Sequence, residues 1–169
     1  KEMDIQRLRK VMFPAGYAPQ NEVPGGRGVL VPEIVSTGLP DIIMPVASLG
    51  ELEALEPDMP ALSALSKELD VVGVHAFALS DDGYTAHVRN FAPLYDIPEE
   101  SATGTANAAL TYYLLKNGVI GELLAEMLWK EVEKEVDGGK PNKAKVADLL
   151  FGVKEGGKRN GAGAFNHAI

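Results

Sequence analysis

The sequence predicts an α+β fold, with a mainly antiparallel sheet packed around one helix of small and apolar residues. Two pairs of apolar, β-rich runs carry the sheet: residues 33–36 with 41–46, and 71–79 with 84–91. The turn signals Thr37-Gly38-Leu39-Pro40 and Asp81-Asp82-Gly83 join them and set each pair up as a hairpin. The helix is carried by residues 104–118, rich in Ala, Leu and Tyr and closed by Gly118.

The remaining elements follow in chain order. Residues 4–12 place Ile5, Leu8, Val11 and Met12 on one face of a short helix. Residues 13–28 hold Pro14, Gly16, Pro19, Pro24, Gly25, Gly26 and Gly28, and read as a loop or linker. Gly25-Gly26-Arg27-Gly28 lacks the Lys-Ser/Thr ending of a phosphate loop. Short helices are expected at 49–55 and at 60–69, the second with Leu62, Leu65 and Leu69 at helical spacing. In the strand at 84–91, Thr85, His87 and Arg89 share one face, which is expected to be polar and able to line a site. Residues 92–103 read as an acidic loop leading into the helix. Past Gly121, an amphipathic helix is expected, with Leu123, Leu124, Met127, Leu128 and Val132 as its apolar stripe. Gly138 and Pro141 end it, and a Gly- and Lys-rich tail follows a last short helix at 144–150. The organisation is thus a helix and linker (1–28), a central lobe (29–120), and an amphipathic helix with a tail (121–169).

Composition narrows the function. A net charge of −8 argues against a nucleic-acid or anionic-membrane surface. No run reaches the apolar length of a membrane helix, and a cytoplasmic location is the expectation. The chain has no cysteine, which excludes disulfides, thiolate catalysis and Cys-based metal sites. His75, His87 and His167 have no paired spacing, so no metal site is expected. Ser101 has no nucleophile-elbow surroundings.

The segment from Arg89 to Leu110 carries the chemistry. The first N–H groups of a helix lack intrahelical partners, and the helix dipole adds positive character there. Gly104, Thr105 and Ala106 are small enough to let an anion approach that backbone, and Glu100 stands just upstream. Read locally, the same pattern is also an ordinary N-cap with acids placed to favour the dipole. Arg89 is expected to pair with Glu99 or Glu100.

Arg89-Asn90-Phe91-Ala92-Pro93, then Glu99-Glu100-Ser101-Ala102-Thr103-Gly104-Thr105, then a small-residue helix, resembles the phenazine-biosynthesis isomerase (PhzF-like) family. That family reads Arg-x-Phe-Ala-Pro followed by Glu-Asp-Pro-Ala-Thr-Gly-Ser-Ala. Val35-Ser36-Thr37-Gly38-Leu39-Pro40 and the run 71–79 resemble it too, so the likeness covers about residues 32–120. It implies one lobe of a diaminopimelate-epimerase-like fold, with a curved sheet around the 104–118 helix. Nothing here matches the Glu-bearing and Gly-His-bearing motifs of that family's first lobe. The cysteine pair of the epimerases is absent as well.

By resemblance, Glu100 stands where the family has its active-site Asp, and Gly104, Thr105 and Ala106 are the cradle for the substrate carboxylate. The implied activity is proton-transfer isomerisation of a small carboxylate-bearing metabolite, with no cofactor. The chain is expected to be incomplete as an enzyme, with an N-terminal lobe missing or a second copy completing it as a homo-oligomer. A non-catalytic lobe that binds a small anion or acts as a scaffold is the alternative.

Overall fold

The computed structural model describes residues 3–82, 84–100, 104–121 and 166–168. The amphipathic stripe Leu123–Val132 and the expected 144–150 helix lie outside them.

The elements run α1 (Ile5–Met12), β1 (Val23–Gly25), β2 (Gly28–Leu30), β3 (Glu33–Ser36), β4 (Pro40–Val46), α2 (Leu49–Glu53) and α3 (Met59–Leu69). They continue with β5 (Val74–Leu79), β6 (Ala86–Ala92), β7 (Ile97–Glu100), α4 (Gly104–Lys116) and β8 (Asn166–Ala168). Among the described residues, β3-β4-β5-β6-β7 form one sheet, β8 adds to β6, and β1–β2 is a separate hairpin. All pairings are antiparallel except β4 with β5, which are parallel and linked by the crossover through α2 and α3. The α+β class and the mainly antiparallel sheet expected from the sequence are both present.

Local chemistry explains the helices. Asp4 accepts from the N–H groups of Gln6 and Arg7 to start α1. Ser48 accepts from Glu51 N, and Asp58 from Ala61 N, to start α2 and α3. Asp70 ends α3 in the left-handed region at φ 60°, a conformation that Asp tolerates better than most residues.

The sheet is covered on both faces. One face carries Ile42, Met44, Val46, Val74, Ala76, Ala78 and Phe91 against α1, α2 and α3. The other carries Val35, Ile43, Phe77, Ala86 and Val88 against α4 and the β1–β2 hairpin. Strand alternation therefore assigns odd residues of β4 and β5, and even residues of β6, to the α4 side. The inner stripe of α4 is Ala106, Asn107, Ala109, Leu110, Tyr113 and Leu114. Tyr113 meets Phe77 edge to face at 5.7 Å and donates its hydroxyl to Val31 O at 2.7 Å.

Three details differ from expectation. Residues 13–28 are not all loop, because Val23–Gly25 pairs with Gly28–Leu30. The "acidic loop" contains β7, whose short pairing with β6 (Asn90↔Glu100, Ala92↔Ile97) shifts register between those two positions. The polar face of β6 does not line the α4 side. Arg89 there donates to Leu52 O and Leu55 O at 2.9 Å each, and pairs with Glu99 at 2.8 Å, so it fastens α2 and β7 to the sheet.

Candidate functional site

On the α4 side of the sheet, the apolar rows give way at one end to polar side chains. Asp41 on β4, His75 on β5, Asn90 on β6 and Glu100 on β7 occupy this end, one on each of four adjacent strands. Alternation puts Asp41 on the same face as Ile43, which pairs in register with His75. His75 pairs with Asn90, and Asn90 with Glu100. The first turn of α4 covers this end and contributes Asn107.

The side chains are linked. Asn90 Nδ2 donates to Glu100 Oε1 at 3.1 Å. Asn90 Oδ1 lies 3.0 Å from His75 Nδ1, and Asn107 Oδ1 lies 3.0 Å from His75 Nε2. His75, Asn90 and Asn107 are all buried, with His75 at 0% exposure. Buried polar groups are tolerated when hydrogen-bonded, and each of these is.

Two pKa values are displaced here. Burial pushes the Asp41 carboxyl up from 3.8 to about 6, the negative charge of Glu100 adds to this, and a hydrogen bond from the Gly73 backbone opposes it. Burial pushes His75 down from 6.5 to about 4, against the hydrogen bonds with Asn90 and Asn107. Near neutral pH, His75 is therefore an uncharged imidazole.

Thr37 ties the β3–β4 turn to the same place, because its hydroxyl donates to Thr105 O at 3.1 Å. Gly38 takes φ 130° in that turn, which a side chain would strain. So Glu100, the Gly104–Ala106 turn and the Thr37-Gly38 turn, separate in sequence, all meet at one end of α4. Residues 101–103, between Glu100 and Gly104, lie outside the described set.

Of the residues gathered here the sequence pointed to Glu100, whereas Asp41, Asn90 and Asn107 did not stand out as site residues. Asp41 carried a signal in being the one charge in an otherwise apolar strand, and Asn107 in being the one amide on the inner stripe of an Ala- and Leu-rich helix.

Other polar clusters stand apart from this end. His87 Nε2 lies 2.9 Å from Asp82, which also accepts the Ser80 hydroxyl. A cleft of about 320 Å³ beside α1, lined by Arg9, Lys10, Phe13 and Tyr17 among others, belongs to the opposite side of the sheet. Among the described residues, no group of three or more His, Asp or Glu side chains is arranged to hold a metal ion. No helix among them is long and apolar enough to cross a membrane.

Comparison with known proteins gives this arrangement a family. An uncharacterized isomerase of Deinococcus radiodurans is 35% identical over 135 residues, which are 72% of this chain and 43% of that protein. An uncharacterized isomerase of Clostridium acetobutylicum is 32% identical over 130 residues, 68% of this chain and 43% of that protein. A Bacillus anthracis crystal structure described as a phenazine biosynthesis protein of the PhzF family is 29% identical, covering 47% of this chain and 27% of that one, with a TM-score of 0.42. The chain thus spans less than half the length of the curated relatives it matches. The profile of the phenazine biosynthesis-like proteins, PhzC-PhzF, matches residues 11–135, about three quarters of the sequence, and the chain belongs to that family.

Proposed function

We propose that this chain supplies one side of the active site of a proton-transfer isomerase acting on a small carboxylate-bearing metabolite, with no metal or nucleotide taking part. Glu100 is the base, and the substrate carboxylate meets the backbone of Gly104, Thr105 and Ala106. Asp41 is the carboxyl on the same sheet face that holds its proton into the mildly acidic range.

The observation that carries this reading is that Glu100 and Asp41 share one sheet face, where the negative charge of Glu100 helps to raise the Asp41 pKa. Two nearby carboxyls whose environments differ divide the labour of holding and accepting a proton. Asp41 retains its proton up to about pH 6, so it can share one with Glu100 near neutrality. The relatives' description as isomerases points the same way.

Both carboxyls stand on one face of one sheet, so they attend one side of a reacting carbon. Returning the proton from the other side needs a further group. That group is assigned to the part of the relatives' length that this chain does not span, or to a second copy of it.

The test is deuterium uptake from D2O at the carbon next to the carboxylate, followed by proton NMR on a panel of small carboxylic acids. The 169-residue chain alone is expected to give little exchange. A longer protein carrying this segment is expected to exchange, and Glu100→Gln to slow it by on the order of 10²–10⁴. Full exchange in that variant would remove Glu100 from the reaction. Exchange by the short chain alone would show that both groups are already in it.

A structure grown with sulfate or a small carboxylate is expected to show the anion within about 2.7–3.2 Å of backbone nitrogens in the Gly104–Ala106 turn. An anion bound there with no exchange by any assembly would leave a lobe that binds anions without catalysis.

A further inference from the structure

We infer that Asn107, His75 and Asn90 form a one-way chain of hydrogen bonds that ends on Glu100 Oε1, which locks His75 as its Nδ1–H tautomer and makes all three residues positioning residues for that carboxylate. Their positioning role rests on the reading of Glu100 as the base. The hydrogen-bond direction stands without it.

The direction follows from Glu100. A carboxylate can only accept, so the Asn90 group facing it at 3.1 Å is the NH2. That turns the Asn90 oxygen toward His75 Nδ1, 3.0 Å away. An amide oxygen can only accept, so Nδ1 carries a proton.

Nε2 is then decided by charge. If it also donated, to the Asn107 oxygen, His75 would be an imidazolium at 0% exposure facing two neutral amides. Burying an unpaired charge is costly. Glu100 lies one residue further along, beyond Asn90, and Asp41 on the same face is itself protonated into the mildly acidic range. Burial holds His75 neutral down to about pH 4. Nε2 is therefore the bare nitrogen, and Asn107 turns its NH2 toward it. The oxygen and nitrogen of an amide exchange places with no change in heavy-atom positions, so the 3.0 Å separation serves both assignments.

Every bond then runs the same way: Asn107 to His75, His75 to Asn90, Asn90 to Glu100. The chain crosses from α4 to β5, β6 and β7. Bonds aligned head to tail polarise one another, which strengthens the last donor, the one that faces the carboxylate. The need is local. β7 pairs with β6 at only Asn90↔Glu100 and Ala92↔Ile97, with a register shift between, so its backbone fixes Glu100 weakly. The Asn90 tie adds to the one that Arg89 makes with the adjacent Glu99.

The test is long-range proton–nitrogen NMR of the His75 ring in the uniformly 15N-labelled chain at pH 7. Nδ1 is expected to show a pyrrole-type shift and Nε2 a pyridine-type shift. The reverse pattern, or two pyrrole-type nitrogens, overturns the inference. Two variants then test whether Glu100 sets the direction. Glu100→Gln offers Asn90 either an oxygen or an NH2, and an unchanged His75 pattern in it shows that the direction survives loss of the charge. Glu100→Ala frees the Asn90 amide to turn over, and both ring shifts are expected to move toward their mean. Identical ring shifts in Glu100→Ala and the parent would show that Glu100 does not direct the chain.

The two readings fail separately. Glu100→Gln removes the base, and its own His75 ring shifts report whether the relay is kept. Retained proton exchange in it sinks the catalytic role of Glu100 and leaves the relay standing, and a wrong tautomer sinks the relay whatever the activity.

Discussion

Gly73→Ala is expected to unfold the chain or to cost it about 3 kcal/mol or more, because a methyl group there has no room. A Cβ at Gly73 would lie within van der Waals overlap of Phe91 O and 2.9 Å from Phe91 C. These are backbone atoms of β6, and no rotamer change relieves them. Gly73 also sits at a junction. Its carbonyl accepts from Ile42 N at 3.0 Å, and its own N–H serves the Asp41 carboxyl. Pushing β6 away from residue 73 would open the sheet beside the His75–Asn90 pair, so the site would be lost with the fold. Gly50→Ala in α2 is the control. The nearest atom to its added Cβ is Ser48 Oγ at 3.8 Å, and the change is expected to stabilise by about 0.5–1 kcal/mol. Denaturant midpoints for the two variants and the parent decide it. A Gly73→Ala midpoint equal to the parent's would mean that the strands part there at no cost.

The sequence was most legible where local chemistry and burial agree. The strand at Glu33–Ser36 and the helices Met59–Leu69 and Gly104–Lys116 follow from β-branched residues beside a turn signal, from Leu62, Leu65 and Leu69 at helical spacing, and from a small-residue apolar stripe. β7 was not legible, because Pro98, Glu99 and Glu100 are poor strand formers and only two paired positions hold it. The parallel pairing of β4 with β5 was also hidden, since each strand reads the same whichever neighbour it takes.

The site shows the same division. Glu100 and Gly104–Ala106 lie in one continuous motif, and local reasoning reaches them. Asp41, His75, Asn90 and Asn107 are brought together only by strand order and by the crossing of α4. Their separations in sequence carry no period that a linear reading can detect. Arg89 divides in the same way. Its pairing with Glu99 was legible within the motif, whereas the carbonyls of Leu52 and Leu55, remote in sequence, turn a strand face that read as able to line a site to structural use.

Asp41→Asn is expected to make the chain more stable than its parent near neutral pH, with an advantage that grows as pH rises. A carboxyl whose pKa is raised on folding, here from 3.8 to about 6, binds its proton more tightly in the folded state. Its contribution to stability is complete below the unfolded value and is lost as pH rises through about 6. The size of that shift corresponds to a loss of about 3 kcal/mol in all, most of it between pH 4 and 7.

His75 acts in the opposite sense. Its pKa falls on folding from 6.5 to about 4, so its contribution is complete above 6.5 and is lost as pH falls through about 4. The two windows overlap, and near pH 5 the two slopes are of similar size and opposite sign. The pair therefore contributes little net pH dependence in the parent.

Asparagine at position 41 keeps an oxygen for the Gly73 N–H and removes only the titration. The His75 slope is then uncovered, and the variant is expected to gain on the parent by about 1 kcal/mol per pH unit near pH 5. Urea unfolding of both proteins from pH 4 to 7 measures this directly, and the carboxylates they share cancel in the difference. Parallel curves would mean that Asp41 titrates as an ordinary carboxyl and holds no proton for Glu100. Diverging curves would mean that the chain keeps, on the sheet face of Glu100, an acid that works against its own folded state at neutral pH. Packing gives no reason to keep such a group, and proton transfer does.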